Sequence, residues 1–536
     1  LSTGDLSVSP EPGHELRRDV TIWGSFMWGY ADVGADIYTA LGLVIAAAQG
    51  MASLAFAIAG IIYIMIGLAY TELASAYPVA GGGHYFALRG LGDFWGFVSG
   101  TALLLDYTID ISLFSVASAG YFFSFWSKII THADRVKHNI VLSEHFIIYD
   151  WVVVVGALVL IGFLIWLNVR GIKESSLFNE ILGGIDIFTE SMLVICGFIF
   201  AWKPELLSAQ FMETWHHFSF HQFAYGTSLG IICFVGLESI SQAAQETRRP
   251  ATIIPRTSLT LIFTVFIFAV AFSNLSLGVA NWKDFEGHLE DPVAFLASLI
   301  PFIGFIAGPF AAFLGMTILA ISSNSGIMSA SRLTFSMSQL RLISPWFNKV
   351  HEKFRTPART IMFFSILGIV FVVASGFTPQ IIDTLGNMYA FGATLGYIIV
   401  FISLIKLRFA DPYTPRPYKV PLNISWHRTE QVTVHIPILA VFGMLGVSMI
   451  FFFVVYTHAI GRIAGPAWVI MCMAYYLYFR KSQNLPVWGS IKHNWEKEQI
   501  AVLTSAEEFD LLEQYKLALA DRDKVIKRKA ANGSQH

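Results

Sequence analysis

Charge is scarce in this sequence. Asp, Glu, Lys and Arg make up 13% of its 536 residues, against roughly 25% in a soluble globular chain. Neither sign dominates, with 35 Lys and Arg against 37 Asp and Glu. A global basic field that would hold nucleic acid is therefore excluded. Cysteine is rarer still. Cys196, Cys233 and Cys472 each sit in an apolar run and none forms a CxxC pair, which argues against a disulfide framework or a zinc site. Catalytic signatures are missing too: there is no Ser/His/Asp set, no HExxH motif and no Gly-rich phosphate loop. The chain does not read as an enzyme, and no cofactor or metal is expected. A histidine group, "WHHFSFHQF" at 215–223, matches no zinc-site spacing and reads as a solvated loop.

What abounds is apolar: 55% of residues are hydrophobic and 15% aromatic. They fall in repeated runs of the length, about 20 residues, that crosses a bilayer. About twelve such segments can be marked, at 22–49, 52–76, 94–126, 149–169, 176–202, 223–244, 257–281, 304–333, 359–376, 380–407, 432–457 and 459–480. They are numbered 1–12 below. Each must be helical, because lipid offers backbone N–H and C=O no other partner. The expectation is an all-α integral membrane protein, with a polar stretch at 1–21, a transmembrane domain at 22–480 and a tail at 481–536. The stretch before Ile22 is polar and the first apolar run is too long for a cleaved leader. With the N-terminus inside, the opposite side carries only Lys128, Arg135, Lys137, Lys203, Lys283 and Arg462, and all other loop Lys and Arg lie on the cytoplasmic side. Both termini are then expected in the cytoplasm. Residues 505–528 alternate charged and apolar residues at helical spacing and read as a solvated amphipathic helix.

Three segments carry carboxylates where hydrocarbon should be. Segment 1 has "ADVGADIYTALG", with Asp32 and Asp36 beside Gly34 and Gly42. Segment 3 has "LLLDYTIDIS", with Asp106 and Asp110 on one helix face. Segment 6 has "CFVGLESISQAAQE", with Gly236 beside Glu238. An ionisable group in hydrocarbon costs at least about 2.5–3.5 kcal/mol, so each is a candidate functional residue. Segments 1 and 6 are five apart, as in inverted repeats where segments 1–5 resemble 6–10. Matched helix breaks in two halves point to a transporter's binding site.

With these motifs in hand, the chain resembles the amino acid–polyamine–organocation superfamily of secondary transporters over most of residues 15–480. Residues 33–42 lie over that family's "IGSGIF" break. "YTELASAYPVAGGGHYFALRGLG" (70–92), "FVGLESISQAAQETRRPATIIPR" (234–256), the 330–358 stretch and "RPYKVP" (416–421) follow its order and spacing. The resemblance implies a LeuT-type five-plus-five inverted repeat with helices 1 and 6 broken, two further C-terminal helices, and alternating access. It implies a substrate site at Gly34, Ala35, Asp36, Phe234, Gly236 and Glu238, with Phe234 as gate; Tyr38, Asp110, which departs from the family's segment 3 stretch, and Tyr389 of segment 10 are added to it as candidates from the residues themselves. Relatives have a small uncharged turn where Ala35 and Asp36 stand. Two like charges at ~4 Å repel by about 4 kcal/mol at an effective dielectric near 20. So either Asp36 is protonated, or it points away, or the ligand is cationic. Asp186 falls where many relatives have a lysine. With Ser322, Ser323, and Asp32 one turn before Asp36, it is expected to hold the coupling ion, Na⁺ or H⁺. The implied activity is transport of an amino acid or cationic amine through the cytoplasmic membrane by a monomer or homodimer. The alternative is K⁺ uptake, since "LLLDYT" is similar to a stretch in potassium transporters of the same superfamily.

Overall fold

The computed structural model describes residues 21–533 apart from 80, 131–135, 144–145, 171, 243, 245–246, 355 and 430–431. All but the last residue of the expected 1–21 stretch, and Arg135 of the loop-charge pattern, lie outside the described residues. Ten helical stretches within them are long and apolar enough to cross a membrane. The first runs for 55 residues, Ile22–Ala76, which would be about 80 Å if straight. It folds back at Gln49, whose φ is +56°, and so supplies segments 1 and 2. Segments 1–11 are therefore all present. The twelfth expected segment is helical over Gly461–Ser482 but is not among the ten, since it carries Arg462, Arg480 and Lys481. It is fixed from inside the bundle: Trp468 Nε1 donates to Thr101 O at 2.9 Å and Arg480 pairs with Asp93 at 2.8 Å.

Segment 3, Asp93–Ile130, is the centre post. Its most apolar stretch is wholly buried, whereas only a third of the corresponding stretches of segments 4 and 5 is. It packs on segments 8, 10, 4 and 9. A helix surrounded on all sides places every residue against protein, which is why "LLLDYTIDIS" lies at the heart of the molecule rather than against lipid.

The two expected breaks differ. Segment 6 is helical over Phe220–Gly230, tightens to a 3-10 turn at Ile231–Phe234, becomes extended at Val235 and restarts at Glu238–Gln242. Gly236 makes the restart possible with φ of +110°, a conformation L-residues avoid. Segment 1 is not unwound. Gly34–Asp36 form a 3-10 turn between helices Ile22–Val33 and Ile37–Ala48, and the backbone stays right-handed throughout. Gly34 is there for space: a Cβ would lie 2.7 Å from the Tyr30 ring. Helix 1 is thus interrupted at the expected position, by a tight turn that does not open the backbone.

Two short antiparallel hairpins complete the fold, Ile140–Ser143 with Phe146–Ile148 and Asn423–Thr429 with Val432–Pro437. The second takes up 432–437, so segment 11 starts at Ile438 rather than at 432. The tail is also more than one solvated helix. It forms Trp495–Ser505 and Phe509–Gly533, parted at Glu507 with φ of +56°, and the first of these packs on the membrane domain. Gln499 donates to Ala76 O at 3.0 Å and accepts from Arg89 at 2.8 Å. Glu508 accepts from the Ala251 amide at 3.0 Å.

The same face holds a dense polar knot. Glu72, wholly buried, takes both Nε (2.6 Å) and Nη2 (2.5 Å) of Arg408, Nη1 of Arg416 (3.3 Å) and the Val420 amide (2.8 Å). The "YTELAS" and "RPYKVP" motifs are thus two halves of one contact. Close by, burial alone would raise the Asp411 carboxyl, but the Arg89 guanidinium at 2.7 Å holds it below its ordinary value. That tie is present at neutral pH and is lost only as pH falls through the depressed value. Removing one partner of a buried pair costs about 3–5 kcal/mol. Glu72→Gln is therefore expected to lower the thermal unfolding midpoint of the detergent-solubilised protein clearly, and an unchanged midpoint would show that the knot does not hold this face.

Candidate functional site

The break in segment 6 places Glu238 at the front of a short helix beside segments 1, 3 and 10. Its Oε2 accepts from the Gly236 amide at 3.2 Å and from the Tyr397 hydroxyl at 2.9 Å, and Oε1 has no partner. Asp32 fills the space a side chain at 236 would need, since a Cβ there would be 2.9 Å from Asp32 Cγ. Glycines open room for segment 3 in the same way. A Cβ at Gly326 would be 2.5 Å from Asp110 Oδ2, and one at Gly392 would be 2.9 Å from the Asp106 amide nitrogen.

Asp32, Asp36, Asp106, Asp110 and Glu238 thereby form one buried group within electrostatic reach of one another. None is more than 2% exposed. Both oxygens of Asp36 and of Asp106, and Oδ1 of Asp110, have no hydrogen-bond partner. No ion pair among the described residues reaches any of the five. Two unit charges ~5 Å apart repel by roughly 3 kcal/mol at an effective dielectric near 20, so this arrangement demands positive charge: a proton, a cation or a cationic ligand.

Aromatic side chains close it. Phe234 stacks on Tyr63 at 4.9 Å and Tyr389 meets Phe114 edge-on at 5.8 Å. The hydroxyls of Tyr63 and Tyr70 are buried without partners. Two cavities lie away from it. One of about 420 Å³ lies between the "RPYKVP" loop and the tail, and an apolar cleft of about 590 Å³ lies between segments 3 and 4. Neither is lined by any of the five carboxylates, which are themselves buried.

Of the expected substrate residues, Gly34, Ala35, Asp36, Asp110, Phe234, Gly236, Glu238 and Tyr389 all lie in this buried region. Tyr38 does not serve it with its hydroxyl, which donates to Asp186 Oδ1 at 2.7 Å on the other side of segment 1. The expected ion-coupling set is divided. Ser322 donates to Asp32 O at 3.3 Å and so joins segment 8 to segment 1. Ser323 joins segment 8 to segment 3 through Ser115 Oγ (2.8 Å) and Ile111 O (3.0 Å). Asp186 is held by Tyr38 and by Tyr30 at 3.1 Å, and no hydrogen bond joins it to either serine among the described residues. Glu190 and Tyr397 escaped the sequence reading. A helical offset of four from Asp186 and of eight from Tyr389 was the signal available for each. The histidine group divides between two helices, and His216, His217 and His221 are exposed.

The family model described as amino acid permease matches residues 22–478. The chain is 26% identical over 428 residues to the branched-chain amino acid permease BcaP of Bacillus subtilis (strain 168), covering 78% of this chain and 87% of that protein. It is 25% identical to the methylthioribose transporter of the same organism, covering 73% and 80%. Cationic amino acid transporter 5 of Arabidopsis thaliana is 25% identical over 432 residues, covering 78% and 70%.

The segment 6 break gives a direct test of the geometry. Gly236→Ala forces a Cβ against Asp32 and strains a left-handed residue, at a cost of about 1–3 kcal/mol. A lowered unfolding midpoint is expected, and Asp32→Ala in the same chain should recover part of the loss by opening the space. A midpoint equal to the parent's in Gly236→Ala would refute the break as described.

Proposed function

The chain belongs to the amino acid permease family, and on that premise we propose that it carries a positively charged amino acid or amine across the cytoplasmic membrane by alternating access, driven by Na⁺ or H⁺. The supporting observation is the buried group of five carboxylates without a counter-cation. Relatives are named for branched-chain amino acids, for methylthioribose and for cationic amino acids, so membership alone leaves substrate charge open. Asp36 argues for a cation. An ammonium or guanidinium entering the site gives its two oxygens, and those of Asp106, the donors they lack. A charged hydrogen bond of this kind contributes about 1.5–3 kcal/mol.

In this reading segment 6 opens and closes the site at Val235 and Gly236, with Phe234 as the gate over Tyr63. The five-plus-five repeat supplies the rocking motion around it. Ser322 with Asp32, and the Asp186 pocket, are the two places for a coupling ion. The bias of Lys and Arg puts the face bearing the tail, and both termini, in the cytoplasm. The working unit is a monomer or homodimer.

Uptake by proteoliposomes of radiolabelled L-arginine, putrescine and L-leucine tests this. Saturable uptake of L-arginine or putrescine, exceeding that of L-leucine, is expected; the two cations separate an amino acid carrier from an amine carrier. Asp36→Gly should lower cation uptake about ten- to a hundredfold, the equivalent of one charged hydrogen bond. Uptake confined to L-leucine and unaffected by Asp36→Gly would overturn the cationic assignment. Rescue of a potassium-uptake-deficient strain without amine transport would overturn the substrate class.

A further inference from the structure

Segment 5 carries two carboxyl groups four residues apart, Asp186 and Glu190, no more than 1% exposed. Both turn toward segment 1. Tyr38 donates to Asp186 Oδ1 at 2.7 Å. The Tyr30 hydroxyl lies 3.1 Å from Asp186 Oδ2 and 2.6 Å from Glu190 Oε2. A hydroxyl has one proton to give. Three oxygen–oxygen contacts are at hydrogen-bond distance, and the two tyrosines supply two protons. Were both carboxyls ionised, one contact would set lone pair against lone pair in a buried site.

One arrangement gives every contact its proton and leaves Asp186 the better-solvated anion. Glu190 Oε2–H donates to the Tyr30 oxygen, Tyr30 O–H donates to Asp186 Oδ2, and Tyr38 O–H donates to Asp186 Oδ1. It also fits the other oxygen of Glu190, which has no partner and so lacks the donors an ionised group would need. The other titratable neighbours are Tyr121 of segment 3, near Asp186, and Cys233 of segment 6, near Glu190. Segments 4, 7 and 8, which also pack on segment 5, give neither carboxyl a hydrogen bond or an ion pair among the described residues.

We propose that Asp186 and Glu190 form a dyad holding one proton between segments 1 and 5, bridged by Tyr30, and that this proton is the ion whose movement drives transport. The second half rests on the transport reading above, the first half does not. Tyr30 and Tyr38 stand two residues before Asp32 and two after Asp36. On a helix that offset, about 200°, puts them on the opposite face. One rod thus carries the proton site on one side and the substrate carboxylates on the other.

Two measurements on the full-length protein separate these halves. The first is infrared difference spectroscopy at neutral pH, parent minus Glu190→Gln, in detergent. Loss of one protonated-carboxyl C=O stretch with the carboxylate bands unchanged is expected; loss of a carboxylate band instead would overturn the dyad. Tyr30→Phe keeps the ring and removes the bridge, and is expected to shift that same stretch; an unshifted band would overturn it equally. The second uses proteoliposomes and radiolabelled L-arginine. An inward proton gradient should drive accumulation in the parent, with no requirement for Na⁺. In Glu190→Gln the ratio of proton-driven accumulation to arginine exchange should fall to that of the no-gradient control. Accumulation that requires Na⁺, or that survives in Glu190→Gln, would overturn the proton's coupling role. If the parent moves putrescine but not L-arginine, the same ratio is read with putrescine; absence of movement of both would count against the transport reading, and the infrared result would still decide the dyad.

Discussion

Hydrocarbon offers no water, so every ionisable group taken into it must be answered by protein, by a proton or by cargo. This chain answers its buried carboxylates in two opposite ways. Glu72 is wholly buried and fully met: two guanidiniums and an amide close around it. Asp36 is equally buried and unmet, with neither oxygen bonded. The same chemistry of burial therefore divides structure from site. Where the donors are supplied by the chain, the group fixes a face of the bundle. Where they are withheld, the chain has a position whose energy depends on what arrives.

The rest of the architecture follows from keeping those unmet groups together. Segment 3 can hold Asp106 and Asp110 only because other helices surround it, and beside these two those helices have no side chain, at Gly392 and Gly326. Segment 6 must break beside Asp32, and glycine at 236 is the residue that lets the backbone do so. The stable tie at Glu72 lies on another part of the molecule, under the tail. A bundle with firm contacts at one face and unsatisfied charge at its middle is stiff where it must hold shape and responsive where it must change.

The segments were legible because lipid imposes a length and because helices bury their backbone groups; segments 1–11 needed nothing more. The motifs were legible too, but not their contacts. "YTELAS" and "RPYKVP" read as family landmarks, while the pairing of Glu72 with Arg408 and Arg416 spans more than 330 positions and leaves no local trace. Segment 1 was read as broken at its glycine, and the interruption there is a 3-10 turn that does not open the backbone. Gly34 serves to clear the Tyr30 ring, and a small residue needed for close packing looks in sequence like one needed for a turn. Asp186 was grouped with Ser322 and Ser323 by analogy of position. The serines turn to segments 1 and 3, and Asp186 turns to tyrosines that sequence alone gave no reason to pair with it. Glu190 was hidden as one more acidic residue inside a long helix, in a run with few anchors. The tail read as solvated because its outward charges were visible and the inward contacts of Gln499 and Glu508 were not.

The tight turn of segment 1 then gains meaning. An unwound turn would uncouple the helix halves and let each face move by itself. A 3-10 turn with right-handed backbone on both sides keeps them in register. Tyr30 and Asp32 are then parts of one rigid body, as are Asp36 and Tyr38. A rotation of segment 1 that frees a carboxylate to meet a cation must also carry a tyrosine hydroxyl relative to segment 5. A shift of about 1 Å is enough to take a 2.6 Å contact outside hydrogen-bond reach. If the segment 5 carboxyls hold a proton and the central ones a cation, as proposed, both energies are read by the same element. Coupling between the two sites needs no longer chain of contacts than the width of one helix.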